Sequence, residues 1–296
     1  MYKRQVLATN YSAYTLEITP SRAGVLDETI DALSKVVDIQ ARDRRRFKRL
    51  MEESRNFESL PIRTRLTDQE VARFTAQRYR FPGVDIKARL FRNYPLGDVA
   101  SHAIGYIGRI NQTEKARIQD SEDEANYRGT EYIGKLGIEH SFESALHGAT
   151  GVEQMETSAG GRAVRKLSSH AATPGDSVML SIDIKLQKLI EELYGTRRGA
   201  LVAIDPRNGE ILALVSKPTF DPNLFVEGID AENWAALNES IDKPLLNRAL
   251  RGTYPPGSTY KPFMALAALQ LNKRSPSLVV NDPGFYTFGG HTFRSL

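Results

Sequence analysis

Residues 254–262 are Tyr254-Pro255-Pro256-Gly257-Ser258-Thr259-Tyr260-Lys261-Pro262, and an apolar run over 263–266 follows them. The pattern predicts a helix over 258–272 that opens with a serine and a lysine three residues apart. Residues at that spacing share one face of a helix, so the Ser258 hydroxyl and the Lys261 amine are expected within reach of each other. A serine hydroxyl is a weak nucleophile until a base takes its proton. We therefore predict Ser258 as a nucleophile and Lys261 as its general base.

The surroundings of this pair strengthen the prediction, because Ser-x-x-Lys alone is a common pattern. Gly257 permits a close backbone approach, and the two prolines before it stiffen the entry to the pair. The apolar run that follows is typical of a buried helix. A polar pair at the start of a buried helix indicates a functional site.

The segment 247–262 resembles the surroundings of the nucleophile in the class B penicillin-binding proteins, which carry a Ser-x-x-Lys acyl-transfer site. The elongation-type members are the most similar in pattern. Further similarity to the same family lies in segments 92–95, 102–108, 134–139, 199–218 and 221–225. The resemblance covers nearly all of residues 8–296.

The resemblance implies an α+β fold with two domains. A mixed pedestal domain of the dimerisation type is expected over 1–168, and the first part of a transpeptidase domain of the serine β-lactamase-like type is expected over 169–296. The boundary is placed there because 168–175 is rich in Ser, Ala, Thr, Pro and Gly. The family also has an N-terminal membrane anchor, and Ser-x-Asn and Lys-Thr-Gly motifs after the nucleophile. This sequence has neither the anchor nor the second pair of motifs, so we expect it to be truncated and inactive alone.

The function that the resemblance implies is peptidoglycan D,D-transpeptidation during cell elongation, through an acyl-enzyme on Ser258. Stem peptides would be the substrates, β-lactams would acylate the same serine, and the pedestal would bind the glycan polymerase of the elongation complex at the periplasmic face of the inner membrane. Two alternatives stay open. One is a D,D-carboxypeptidase or β-lactamase of the same clan, and the other is a non-catalytic β-lactam sensor or scaffold.

The chemistry implied by the resemblance requires no cofactor. In some relatives, however, the aspartate of an Asp-Pro-Gly after the nucleophile helix binds zinc, and Asp282-Pro283-Gly284 stands at that place. Asp282 is therefore a candidate ligand for zinc in the full-length protein. The alternative is that Asp-Pro-Gly only forms a turn.

Composition limits the other function classes. The chain has 40 lysines and arginines against 36 acidic residues, so its net charge of +4 does not indicate a nucleic-acid partner. It has no cysteine, which excludes disulfides and thiolate metal sites. No apolar run approaches the roughly 18 residues that a membrane-spanning helix needs.

Local patterns predict the elements around the site. Thr67 and Glu70 form a capping-box pattern, and Asp27 is a candidate helix cap. The predicted elements are a strand over 11–20, helices over 27–56 and 67–79, a strand over 177–183, a helix over 184–194, and a hairpin over 200–216 that turns at 206–209.

Three other patterns are interpreted as structural. Segment 129–135 matches most of a phosphate-binding loop, but Leu136 replaces the serine or threonine that would hold magnesium. The basic run 42–49 could contact phosphates or anionic lipid, but acidic residues downstream favour a solvated helix face. His102, His140 and His147 lack zinc-ligand spacing and are expected to be structural, His170 is assigned to the linker, and the role of His291 is open.

Overall fold

A computed structural model describes residues 5–53, 58–157, 163–279 and 281–294 of the chain. Its backbone divides into two compact units, of which the first ends at Arg251 and the second begins at Gly252. Helices and strands are mixed along the chain, so the predicted α+β class is confirmed. The domain boundary predicted between residues 168 and 169 falls inside the first unit and stays a prediction. In the described ranges no helix has the length and apolarity to cross a membrane.

The helices of the described residues are α1 Leu26–Leu33, α2 Ala41–Glu53, α3 Asp68–Gln77, α4 Ser101–Ile104, α5 Gln112–Gln119, α6 Gly137–Ser141, α7 Glu143–His147, α8 Ile184–Tyr194, α9 Ala231–Asn238, α10 Arg248–Arg251 and α11 Lys261–Gln270. The strands are β1 Thr9–Ile18, β2 Leu60–Leu66, β3 Val84–Asn93, β4 Ile107–Arg109, β5 Tyr132–Gly134, β6 Val152–Thr157, β7 Ala163–His170, β8 Gly199–Ile204, β9 Ile211–Lys217, β10 Phe285–Phe288 and β11 His291–Arg294.

An antiparallel sheet in the order β2-β1-β3 organises the first unit. Leu16 and Ile18 of β1 are fully buried and pack with Phe47 of α2 and Phe74 of α3 in one hydrophobic cluster. Burying large side chains of this kind stabilises the fold by roughly 1.5–3 kcal/mol each. The strand predicted over 11–20 is confirmed with a shift of two residues, because Pro20 begins a 3-10 turn.

The single helix predicted over 27–56 is wrong, because α1 and α2 are separate helices with a bend over residues 34–40. The Asp38 N–H in this bend donates to Glu70 Oε1 at 3.1 Å, so a distant side chain replaces a helical partner. Asp27 is not the cap either, since it lies in the first turn of α1 behind the N-cap residue Val25. Residues 54–56 lie outside the described residues.

The start of α3 confirms the predicted capping box. The Glu70 N–H donates to Thr67 Oγ1 at 3.3 Å, and the Thr67 N–H donates to Glu70 Oε2 at 2.9 Å. This reciprocal pair satisfies two N–H groups that a helix start otherwise leaves unpaired. Helix α3 ends at Gln77, and a 3-10 turn covers 78–80.

The face of the sheet opposite the helices carries charge. Glu17 is fully buried there, and it accepts from Arg89, from Ser59 at 2.7 Å and from Lys87 at 3.0 Å. Burial opposes ionisation of this carboxyl, but the hydrogen bonds and the Arg89 charge outweigh it and hold its pKa below the ordinary value. The sheet therefore has an apolar face and an ionic face.

The hairpin predicted over 200–216 is confirmed as β8 and β9, and Gly209 in its turn has a φ of +77° that favours glycine. Helix α8 matches the prediction over 184–194, and Asp183 caps it by accepting from two backbone N–H groups. Buried Gln187 of α8 then joins the helix to β9, because its amide accepts from the Leu214 N–H at 2.9 Å and donates to the Leu214 carbonyl at 2.9 Å.

Two expectations about the region before α8 are wrong. Residues 177–183 form no strand, although Val178 and Leu180 are half-buried on either side of the exposed Met179. His170 is not in a linker, because it ends β7 and pairs with Val152 across the β6-β7 hairpin. Hydrogen bonding to a neighbouring strand, rather than the alternating pattern, decides whether an extended segment is a strand.

The second unit contains α11 and the hairpin of β10 and β11. Gly289 and Gly290 join the two strands, with φ values of +56° and +79°. A two-residue connection with both φ values positive matches the twist of hairpin strands, which explains two glycines in succession. His291 lies at the start of β11.

Candidate active site

The structure places Ser258 and Lys261 in one turn of backbone. Ser258 lies in the 3-10 turn Gly257–Tyr260, and the Lys261 N–H donates to the Ser258 carbonyl oxygen. A 3-10 helix has three residues per turn, so side chains at positions i and i+3 project from the same side of its axis. The predicted juxtaposition of the two residues is thus supported by backbone geometry.

The helix itself differs from the prediction over 258–272. Because Pro262 has no N–H, it cannot bond to the Ser258 carbonyl in the α-helical manner, and the preceding N–H of Lys261 closes a tighter turn instead. Helix α11 therefore begins at Lys261. It ends at Gln270, and the left-handed Asn272, with a φ of +53°, follows its last turn.

The sequence predicted that α11 is buried. This prediction is wrong in the described residues of the second unit, because the helix is exposed except for the half-buried Ala268. Ser258 and Lys261 are exposed as well. In the described part of the chain, neither the Ser258 hydroxyl nor the Lys261 amine has a hydrogen-bond or ion-pair partner. Both groups are therefore free to react or to bind.

Two neighbours shape this turn. Gly257 has a φ of +55°, and a Cβ added there would meet no atom within 4 Å, so its left-handed backbone, and not crowding, accounts for the glycine. The Thr259 hydroxyl donates to the Pro256 carbonyl, which removes it from competition with Ser258 as a nucleophile.

Asp282 stands in a turn. Its Oδ1 accepts from the Gly284 N–H at 2.7 Å, and Gly284 has a φ of +85°. This is the geometry of an Asx turn, which the alternative interpretation of Asp-Pro-Gly predicts. The described residues contain no group of three His, Cys, Asp or Glu side chains that could hold a metal ion. Asp282 by itself does not make a zinc site.

The chain leading to the nucleophile segment is anchored in the first unit by residues that the sequence patterns did not reveal. The buried Arg248 donates from Nη1 to the Lys243 carbonyl at 3.0 Å and from Nη2 to the Asp242 carbonyl at 2.5 Å. Its backbone N–H donates to Ser216 Oγ at 2.9 Å, and Ser216 in turn donates to the Leu246 carbonyl at 3.1 Å. An arginine that opens a four-residue helix such as α10 gives no periodic signal, so only the fold shows that Arg248 anchors the loop before it.

His102 joins the pedestal part to this loop region. Its ring packs edge-on against Phe220 at 5.1 Å, its Nε2 lies 3.3 Å from the Pro218 carbonyl, and its own carbonyl accepts from Asn247 Nδ2 at 3.2 Å. Burial lowers the pKa of this imidazole, which keeps it neutral. The predicted structural role of His102 is confirmed.

The structure also gives local partners for most of the other patterns set aside from the sequence, whereas the expected structural role of His140 stays a prediction. Residues Tyr132–Gly134 form β5, so segment 129–135 is not a loop that opens a helix. The ring of His147 stacks on Tyr127 at 4.3 Å. In the basic run, Arg44 and Arg46 are half-buried in ion pairs, whereas its remaining lysine and arginines are exposed.

Comparison with known proteins agrees with this architecture. The family model described as the penicillin-binding protein dimerisation domain matches residues 2–180, and the penicillin-binding protein transpeptidase domain matches residues 199–295. The peptidoglycan D,D-transpeptidase MrdA of Escherichia coli K12 is 42% identical over 284 residues, which cover 96% of this chain and 45% of that protein. The chain thus spans less than half the length of the curated relatives it matches.

Solved structures give the same result. The complex of penicillin-binding protein PBP2 with MreC from Helicobacter pylori matches with a TM-score of 0.73 and 25% identity, over 98% of this chain and 54% of that one. PBP2 of Pseudomonas aeruginosa, in complex with WCK 5153, matches with a TM-score of 0.56 and 43% identity, over 70% of this chain and 41% of that one. The resemblance found in the sequence is confirmed, and the chain belongs to the penicillin-binding proteins in which a dimerisation domain precedes a transpeptidase domain.

Proposed function

We propose that this chain contributes the dimerisation domain and the nucleophile segment of a peptidoglycan D,D-transpeptidase. The observation that carries the proposal is the 3-10 turn that contains Ser258 and is closed by the N–H of Lys261, inside the region that the transpeptidase family model matches. The curated relatives are named as D,D-transpeptidases, which favours this activity over a hydrolase of the same clan.

In the proposed reaction, Ser258 Oγ attacks the carbonyl carbon of the penultimate D-alanine of a stem peptide while Lys261 Nζ takes the hydroxyl proton. The tetrahedral intermediate collapses, the C–N bond breaks, and the terminal D-alanine leaves with the proton that the lysine returns. An amine from a neighbouring stem then attacks the ester, and Ser258 recovers its proton as the C–O bond breaks. The Ser258 N–H contributes to oxyanion stabilisation.

Lys261 can act as a base only when its amine is neutral, which requires burial or a neighbouring cation. The relatives are longer than this chain, and we propose that their additional residues complete the pocket around the amine and supply the second oxyanion donor. β-Lactams would acylate Ser258 by the same attack. A non-catalytic sensor or scaffold would keep the turn for binding alone.

The proposed cellular setting follows from the relatives. A MreC protein is bound to PBP2 in the H. pylori structure, and we propose that the dimerisation part of this chain binds a partner of that kind and the glycan polymerase of the elongation complex. The corresponding location is the periplasmic face of the inner membrane. Acyl transfer needs no cofactor, and zinc binding by Asp282 remains a proposal that metal analysis of the full-length protein would test.

The decisive experiment uses the full-length protein with a fluorescent penicillin. Covalent labelling is expected, with the adduct located on Ser258 by peptide mass spectrometry, and Ser258→Ala should abolish it. Thr259→Ala is the matched control, because it removes a neighbouring hydroxyl that is already bonded to a carbonyl. Labelling that persists in Ser258→Ala would refute the nucleophile assignment. Absence of labelling in the wild type would favour the scaffold.

A further inference from the structure

Asn247 lies where the chain prepares to leave the first unit for the nucleophile. Helix α10 begins directly after it, at Arg248, and the first unit ends with the last residue of α10, Arg251. The second unit, which contains Ser258, begins at Gly252. The contacts that hold α10 therefore fix the point from which the chain runs to Ser258.

The half-buried side chain of Asn247 uses both ends of its amide. Its Oδ1 accepts from the Leu250 N–H at 3.3 Å, as the side chain of a helix N-cap does, and so caps the first turn of α10. Its Nδ2 donates to the His102 carbonyl of α4 at 3.2 Å. One side chain therefore both starts α10 and attaches it to α4.

The bond to α4 joins two regions that different family models match. His102 lies in the region matched by the dimerisation model, and Asn247 lies in the region matched by the transpeptidase model. By contrast, the guanidinium of the neighbouring Arg248 donates to the carbonyls of Asp242 and Lys243, which belong to the same region as Arg248. Asn247 thus gives the start of α10 a partner outside its own domain.

The carbonyl that Asn247 binds is itself held in place. His102 is buried, its ring packs edge-on against Phe220 at 5.1 Å, and its Nε2 lies 3.3 Å from the Pro218 carbonyl. A carbonyl in the last turn of a helix lacks a helical N–H partner, so the Asn247 amide supplies a donor that α4 does not. A hydrogen bond to an acceptor locked by packing restrains the group that donates it.

We propose that Asn247 is a positioning residue for acylation of Ser258, because it ties the start of α10 to the His102 carbonyl. This inference rests on the proposed function. Asn247 acts through the backbone of α10 and not on the reacting atoms, so its replacement should slow acylation without removing the nucleophile. A shift of about 1 Å at a reacting group can slow a reaction roughly a hundredfold, so the loss of a single tether is measurable.

The test measures the rate constant for acylation of the full-length protein by a saturating fluorescent penicillin, at a temperature where every variant is folded by circular dichroism. Asn247→Asp keeps an oxygen to cap α10 but has no N–H for the His102 carbonyl. It should lower the rate constant about tenfold, as expected for loss of one hydrogen bond that holds the reacting geometry. Asn247→Ala loses the cap as well and should be at least as slow.

Asn223→Ala is the matched control. Asn223 also donates across the same two regions, to the Tyr94 carbonyl at 3.0 Å, but it does not adjoin α10. This variant should lower the thermal stability and leave the acylation rate constant of the folded protein near the wild-type value.

A wild-type rate constant in Asn247→Asp would overturn the inference and leave the proposed function intact. Equal losses of rate in Asn247→Asp and Asn223→Ala would also overturn it, because they would show only a general loosening between the two regions. A wild-type protein without any adduct on Ser258 would refute the acyl transfer itself, and this inference with it.

Discussion

Tyr94 and Asn223 exchange two hydrogen bonds, although 129 positions of sequence separate them. The Tyr94 N–H donates to Asn223 Oδ1 at 3.0 Å, and Asn223 Nδ2 donates to the Tyr94 carbonyl at 3.0 Å. The side-chain amide of Asn223 thus pairs with the backbone of Tyr94 as the backbone of a neighbouring strand would. Tyr94 lies in the region matched by the dimerisation model and Asn223 in the region matched by the transpeptidase model, so this exchange fastens the two regions together.

Asn223→Asp should destabilise the protein by about 1–3 kcal/mol, because a carboxylate can accept from Tyr94 but cannot donate to its carbonyl. Urea denaturation measures the loss. Asn208→Asp is the matched control, since Asn208 uses only its acceptor oxygen, toward the Glu210 N–H at 3.0 Å. Similar losses in the two variants would contradict the importance of the donated bond.

Lys261→Arg should slow β-lactam acylation of the full-length protein by a factor of about 10²–10⁴, the usual contribution of a general base. A guanidinium keeps its proton at all accessible pH values, so it cannot accept one from Ser258. The acylation rate constant is the measurement. The control Lys273→Arg makes the same exchange beyond the end of α11, and a rate near the wild-type value in Lys261→Arg would exclude the lysine as the base.

Gly257→Ala should cost about 1–2 kcal/mol in the nucleophile turn, because alanine disfavours a φ of +55° while its methyl group meets no neighbour. The acylation rate should fall with the population of the turn. Gly257→Asn should lose less, since asparagine tolerates left-handed backbone. If the two variants reacted equally slowly, side-chain bulk and not backbone strain would be responsible.

Glu191→Gln should stabilise the protein at neutral pH. Glu191 is buried and accepts from the Ala100 N–H at 3.0 Å and from Gln187 Nε2 at 2.7 Å; burial raises its pKa. A raised carboxyl pKa means that folding is penalised above the folded-state pKa, and that the penalty disappears as pH falls toward the ordinary value of 4.5.

The stabilisation by Glu191→Gln should therefore be largest at pH 7–8 and shrink on acidification. Thermal unfolding of the two proteins at a series of pH values, from pH 8 down to the ordinary carboxyl pKa of 4.5, measures this difference in stability. The adjacent Glu192→Gln, on the exposed side of α8, should show no such trend. A gain in Glu191→Gln that is constant with pH would contradict the assignment of the effect to this carboxyl.

Local signals predicted the elements whose partners are close in sequence. The capping box of Thr67 and Glu70, the cap at Asp183 and the turn at Gly209 each involve only residues that are close in sequence. The sequence therefore predicted a helix that starts after Asp183 and a hairpin that turns at Gly209. Residues 34–40 include no glycine or proline, so the local sequence does not predict the bend there. It depends on Glu70, which no local pattern connects to Asp38.

The residues of the candidate site also divide into those that the local sequence predicted and those that only the fold shows. Ser258 and Lys261 were predicted because they lie three positions apart and because Gly257, the prolines and the apolar run around them are all close in sequence. The buried loop anchor Arg248 was missed because its acceptors are backbone carbonyls, which carry no residue identity. The 3-10 turn was also missed, although Pro262 contained the information, since the prediction assumed that the α-helix continued through the proline.

The tight turn at Ser258 fixes the angle between the two residues of the motif about the turn axis. At three residues per turn, each residue advances about 120° around the axis, so positions 258 and 261 share an azimuth. An α-helix would advance about 100° per residue and leave the hydroxyl and the amine roughly 60° out of step. Inserting or deleting one residue between them would swing the amine a third of a revolution away, so the number of residues in this motif is constrained more tightly than the identities of the two between.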